Sequence, residues 1–176
     1  MPDLHSLEAA IQSPALKVVY AHWQAARGTR LMPAWRDIDA VAIGKYLPKV
    51  WAWRFDPMLD TFIGRLAGED IIAVMGCEMR GRRFAQCFPP GSAATVEARH
   101  RKVIGGPNIM RTTGRVYVLT GQYGLGERIV LPLATDGVTG DGVLGVTDYS
   151  LSIADARSVG AAIDHDHEEI VFYPLT

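Results

Sequence analysis

Two hydrophobic periods alternate along the chain, and their order predicts its elements. After Ser13-Pro14 the apolar residues Leu16, Val19, Tyr20 and Trp23 recur at helical spacing, with the serine placed as N-cap, the proline at the first helical position and Gly28 as the stop. Asp37 is placed to cap a second short helix, IDAVAIGKY, which the Leu47-Pro48 step ends. From Lys49 to Phe55 the period drops to two and sets Trp51, Trp53 and Phe55 on one side of a strand. The segment DPMLD then turns the chain into a second strand, TFIGRLAG, to make a β-hairpin. Strict alternation there puts Phe62 and Leu66 on one face with Gly64 and Gly68, and Ile63 and Arg65 on the other.

Short helical pieces follow between Glu69 and Phe88, broken by Gly76 and Gly81 and closed by Pro89-Pro90-Gly91. Ser92 is placed to cap a longer helix through about Ile104, stopped by Gly105-Gly106-Pro107. Ala93, Val96, His100 and Val103 share one face of it, so a histidine sits in the apolar stripe. The remainder reads as β: a strand around Arg115 to Thr120, a turn GQYGLG, a strand ERIVLPLA, a turn DGVTGDG and a strand VLGVTDYS. The last run, EEIVFYPL, is an edge strand or a strap. This order predicts an α+β domain with its helices on one face of a roughly five-stranded antiparallel sheet.

Composition narrows the function. A chain of 176 residues suits one domain, and 18 basic against 19 acidic residues, net −1, offer polyanions no general attraction. No nucleic acid is expected as partner. No apolar run approaches the ~18 residues of a spanning helix, and MPDLHSLEAA lacks a secretory leader, so the expectation is a cytoplasmic protein without a membrane segment. The two cysteines, Cys77 and Cys87, stand ten apart without a CxxC pair, which excludes a disulfide framework and a zinc ribbon.

The glycine-rich stretch from Gly68 to Gly81 contains no GxxxxGK[ST], so it is not a P-loop. Arg80, Arg82 and Arg83, with Arg99, Arg101 and Lys102, are either a surface for an acidic partner or nucleotide or an ordinary solvated face. The run Asp164-His165-Asp166-His167-Glu168-Glu169 is either a metal site or an exposed loop. Cys87, His100 and Asp148 are the types of a nucleophile, base and orienter. No cysteine signature surrounds Cys87 and no G-x-S-x-G is present, so no enzyme is expected.

One set of residues points to a family. It comprises Tyr20-x-x-Trp23, Arg27-Gly28, the run PAWRDID with Pro33, Arg36, Asp37 and Asp39, and Leu47-Pro48. It continues with Phe62, Arg65-Leu66-Ala67-Gly68, Gly76, Met79, Gly81-Arg82, Leu131-Pro132-Leu133 and Asp136-Gly137. In these, over about residues 16 to 149, the chain resembles the PAS fold. More narrowly it resembles a bacterial family of small stand-alone PAS proteins, formerly a domain of unknown function.

The resemblance implies a five-stranded antiparallel sheet wrapped by short helices around a small cavity, in a sensor that dimerises and biases a signalling partner. The corresponding division is an N-terminal cap and dimerisation helix at 1–30, a PAS-like core at 31–150 and an extension at 151–176. No output domain is visible, so any output goes through another protein. The Tyr20 and Trp23 stripe is either a homodimer surface or a cover for its own sheet.

The expected ligand is small and mainly apolar. Its walls are Phe62, Leu66, Ile72, Met75, Phe84, Val96, Val103 and Leu131, with His100, Arg65 and Tyr117 as orienting groups. Arg65 reaches the cavity only if a bulge at Gly64 turns it inward. Haem-binding PAS proteins ligate iron through a histidine on the corresponding helix, so haem on His100 stands beside a histidine satisfied by a hydrogen bond. Neither cysteine lies in the asparagine-rich motif of flavin photosensors. The rival readings are a ligand-free adaptor and a small enzyme using His100 or Cys87.

Overall fold

The structure, a computed structural model, describes residues 2–116, 124–150 and 167–175. Helices α1 (Leu4–Ala10) and α2 (Pro14–Arg27) precede a hairpin of β1 (Val50–Asp56) and β2 (Thr61–Ala67). Then come α3 (Glu69–Met75), α4 (Ala93–Gly105), β3 (Asn108–Arg115), β4 (Leu125–Leu133), β5 (Gly142–Ser150) and β6 (Glu168–Pro174). Short 3-10 segments lie at Trp35–Asp37, Gly44–Lys49 and Phe84–Gln86.

The strands form one antiparallel sheet in the order β2-β1-β5-β4-β3-β6. It has six strands where five were expected, because the run from Glu168 takes the edge place beside β3.

Helices cover both faces of this sheet, a correction to the one-sided arrangement. Side chains alternate across a strand, so in β1 Val50 and Ala52 enter one core while Trp51 and Trp53 enter the other. The first core lies under α1 and α2, where Leu7, Leu16, Val19 and Trp23 meet Ile129, Leu131 and Leu133. The second lies under α3, Phe84 and α4.

Helix α2 forms as its sequence dictates. The Ser13 hydroxyl accepts from the amides of Ala15 and Leu16, Pro14 opens the first turn, and Gly28 closes the last at φ +56°. Its aromatic stripe is buried by its own sheet, and Trp23 Nε1 donates to the Pro132 carbonyl at 2.9 Å. That surface is therefore occupied within the chain.

A buried ion pair fastens the cap. Glu127 on β4 accepts from Arg111 Nε on β3 at 2.6 Å and from the amides of Gln12 and Ser13 at 3.1 and 2.8 Å. Arg111 in turn donates to the Ala10 carbonyl at 2.9 Å. The connector between α1 and α2 thus has its backbone groups satisfied by two strands. Beside it the Ser13 hydroxyl donates to Asp148 at 2.6 Å, and Asp148 pairs with Lys49 at 2.8 Å.

Several local expectations are corrected. Residues 38 and 39 are irregular and 40–43 form a turn, not a helix; the Asp37 carboxylate closes the Trp35–Asp37 segment through the Ala34 amide and pairs with Arg30, both at 2.8 Å. The strand expected at Arg115 to Thr120 runs instead from Asn108 to Arg115, and residues 117–120 lie outside the described residues. Ser92 holds the N-cap position of α4 but makes no side-chain cap bond. Among the described residues no helix is long and apolar enough to cross a membrane.

Candidate functional site

The second core is incompletely filled. A cavity of about 40 Å³ lies between the sheet and α3, the 79–88 segment and α4. At ~10–15 Å³ per water it has room for a few water molecules. The sheet contributes Trp51, Trp53, Met110 and Val116, α3 contributes Ile71 and Met75, and the segment contributes Met79 and Phe88. Helix α4 presents Val96, Arg99 and His100, while Arg128 and Glu168 close a polar end.

His100 is the unusual member. It is 4% exposed, and its ring packs on Trp51, Phe62 and Phe84 with centroids 5.5, 5.8 and 5.1 Å away. Nδ1 lies 2.8 Å from the Val96 carbonyl, one helical turn back. A carbonyl only accepts, so Nδ1 carries the proton and Nε2 presents a bare lone pair. Nε2 is buried and finds no hydrogen-bond partner among the described residues. A buried polar atom left unpaired costs ~1–3 kcal/mol.

Around it the polar groups are engaged. Arg99 pairs with Glu168 at 2.9 Å, and the Thr147 hydroxyl accepts from Trp51 Nε1 at 2.9 Å and from Arg128 Nε at 3.1 Å. Burial pushes the His100 imidazole down to about 4 from its ordinary 6.5, helped by the charges of Arg128 and Arg99 and opposed by the Val96 carbonyl. The folded state therefore holds His100 neutral where the unfolded chain binds a proton. Stability contributed by the neutral ring is present above pH 6.5 and is lost as pH falls toward 4.

Between pH 7.5 and 5 this predicts a loss of about 2 kcal/mol in urea unfolding, a slope that His100→Gln removes. Parallel pH profiles for the two proteins would contradict a buried neutral imidazole.

Of the expected walls, Met75, Val96 and His100 line the cavity. Phe62 and Phe84 back the His100 ring, and Val103 is buried in the same core. Ile72 does not line it; Ile71 does, because Ile71 and Met75 stand one turn apart on the inner face of α3. Leu131 enters the opposite core, under α2.

A bulge displaces Arg65 and Leu66. Leu66 pairs with Ala52 and Gly64 with Trp53, so Arg65 is the extra residue. It stays exposed rather than turning inward, and the one-residue shift flips Leu66 to the other face, where it is 41% exposed. Both line a separate hollow near Leu47, Val50 and Leu133. Tyr117 lies outside the described residues.

Besides the packing of Met79 and Phe84 in the second core, the 79–88 segment is tied to β2 through backbone hydrogen bonds. Gly64 donates to the Arg82 carbonyl and accepts from the Gly81 amide, both at 2.9 Å. A Cβ on Gly64 would fall well inside van der Waals contact distance of the Met79 carbonyl oxygen, so only glycine permits the approach. Gly145 plays the matching part in β5, where the Trp51 indole takes the space of a side chain.

The other constellations come apart. Arg101 pairs with Asp60 and Glu97, Arg99 with Glu168, and Lys102 sits 3.8 Å over the Phe172 ring, which leaves Arg80, Arg82 and Arg83 as exposed side chains. Asp164, His165 and Asp166 lie outside the described residues, and Glu168 is engaged by Arg99. No cluster able to hold a metal occurs among the described residues. Cys87, His100 and Asp148 form no common array: His100 bonds to Val96, Asp148 to Ser13 and Lys49, and Cys87 packs in the second core.

Haem does not fit here. His100 offers a free Nε2, but a cofactor pocket is of order 300–1,000 Å³ and the cavity is about 40 Å³. No chemistry is assigned to iron.

Sequence reasoning missed Met79, Phe88, Met110 and Val116 as walls, and Arg99, Arg128 and Glu168 as the polar end. The aromatic side of β1 was legible, and Trp51 with Trp53 is the signal that pointed to this face.

Comparison with known proteins agrees with this architecture. A family model described as a PAS domain matches residues 11–148. No curated protein and no solved structure matches the chain significantly.

Proposed function

Because the chain belongs to the PAS domain family, we propose that it is a cytoplasmic sensor whose cavity takes a small, mainly apolar ligand and whose output passes to a signalling protein, with a homodimer as the working unit. The supporting observation is His100 Nε2, a buried acceptor without a partner among the described residues, in an aromatic cavity. A ligand carrying one N–H or O–H donor satisfies it and recovers the cost of leaving it bare. The working division keeps the cap at 1–30, the core at 31–150 and the extension at 151–176. With the α2 stripe occupied, self-association must use other surfaces, and sedimentation over a hundredfold concentration range checks it: a monomer throughout removes the dimer.

The ligand is tested with two rings of nearly equal size, pyrrole with an N–H donor and furan without. Titrations follow the fluorescence of Trp51 and Trp53, which line the cavity. Pyrrole is expected to bind about tenfold tighter, the equivalent of one good hydrogen bond, and His100→Leu to abolish the preference. Equal affinities in the wild-type protein would refute the hydrogen bond to Nε2, and no binding of either ring would leave a ligand-free adaptor. Mass spectrometry of the gently purified protein looks for the natural ligand, and a Soret or flavin band would overturn the proposal.

A further inference from the structure

The sheet has two edge strands, and they are finished differently. Beside β2 the 79–83 segment takes the outward groups: Gly64 bonds to Gly81 and Arg82, and Ile63 bridges Arg83. Strand β6 has β3 on one side, and among the described residues nothing pairs with it on the other. Its bonding direction follows from its two ends, where the Arg115 amide donates to the His167 carbonyl and the Leu175 amide to the Pro107 carbonyl. Bonded positions alternate along an antiparallel ladder, so Val171 and Tyr173 also bond to β3, while Glu168, Ile170 and Phe172 turn N–H and C=O outward. Pro174 faces outward too, with a carbonyl but no N–H. Exposed edges are commonly guarded by lysine, a bulge or a covering segment, and short of its terminal proline β6 has none of these among the described residues.

We propose that β6 is the surface through which two copies of this chain associate, edge to edge and antiparallel about Val171, so that their sheets become one. This surface belongs to the homodimer proposed above and depends on that reading. In that register Ile170 of each copy stands opposite Phe172 of the other and exchanges both hydrogen bonds with it, and the Glu168 amide meets the Pro174 carbonyl. An aliphatic β-branched residue opposite an aromatic one is a favourable cross-strand pair. The carboxylates of Glu168 and Glu169 fall at opposite ends of the paired strands, whereas a parallel pairing would set them against their counterparts.

The α4 side of this edge has room for an added strand. Ile170 and Phe172 pack against the second core, and cross-strand partners project their side chains to the same face. An open hollow of about 550 Å³ lies there, lined by Ala94, Thr95, Ala98, Arg99, Lys102 and Phe172. The small side chains of Ala94, Thr95 and Ala98 leave space beside Phe172 for Ile170 of the second copy.

The test uses the full chain. The wild-type protein is expected to sediment as a monomer–dimer equilibrium. In the Val171→Cys variant the two substituted positions form a non-hydrogen-bonded pair with Cα atoms ~4.5 Å apart, within reach of a disulfide. Mild oxidation is expected to give a covalent dimer whose trypsin digest contains two copies of peptide 158–176 joined to each other. Ile170→Pro removes an outward N–H and spares the bonds to β3, so it is expected to keep the circular dichroism spectrum and to raise the dimer Kd at least tenfold. If the proline variant loses its spectrum, the cross-link decides alone. A wild-type dimer whose Val171→Cys form yields no joined 158–176 peptides, or a folded Ile170→Pro protein with an unchanged Kd, refutes the edge and leaves the homodimer standing on another surface. A monomer at every concentration refutes both.

Discussion

Replacing Glu127 by alanine is expected to cost about 3–5 kcal/mol of stability and to loosen the two N-terminal helices from the sheet. The magnitude follows from what is left behind. Arg111 remains with its guanidinium buried and loses its 2.6 Å carboxylate, and the amides of Gln12 and Ser13 lose their acceptor. Urea unfolding measures the loss, and limited trypsin digestion at Lys17 and Arg27 measures the release of α2. Glu127→Leu combined with Arg111→Met removes both charges and is expected to recover much of the stability, since an apolar pair of similar volume often replaces a buried ion pair at little cost. A Glu127→Ala protein within about 1 kcal/mol of wild type would show that the pair does not hold the cap.

Gly64→Ala is expected to destabilise the protein by about 3 kcal/mol or more, at the upper end for overpacking, because its Cβ would meet backbone atoms that no rotamer change can move. The strand and the 79–83 backbone must separate, and the two hydrogen bonds at Gly64 go with them. The local signs are faster amide exchange over residues 79–88 and a red shift of the Trp53 emission, since Trp53 packs against Phe84 at 4.6 Å. Gly44→Ala is the control, with nothing within 4 Å of the new methyl, and is expected to change stability by no more than about 0.5 kcal/mol. Equal tolerance at the two positions would refute the close approach.

Much of the fold was legible where one face alone is buried. The stripe of α2, the Trp51 and Trp53 side of β1, and His100 on the inner face of α4 follow from periodicity, and the structure places them accordingly. The misreadings have physical causes. In β4 the run from Ile129 to Leu133 is apolar on both faces because both are covered, so no alternation shows that Val130 faces the cavity core and Leu131 the cap core. The bulge at Arg65 adds one residue without a mark in the hydrophobic pattern, and every inference past it inverts. Glu127 and Arg111 look like surface residues until the cap that buries them is in place. In α3 adjacent isoleucines, Ile71 and Ile72, leave the rotation of a seven-residue helix undetermined by sequence.

Because every strand but β2 feeds two cores, alternate positions of the sheet form two nearly independent alphabets. Trp51, Trp53, Met110, Val130 and Val143 spell the chamber, while Val50, Ala52, Ile109, Ile129 and Leu144 spell the seat of the cap. No side chain belongs to both sets, although their owners are neighbours along one backbone. A lineage could therefore retune what the chamber admits by rewriting one alphabet, and keep its cap seated by leaving the other untouched.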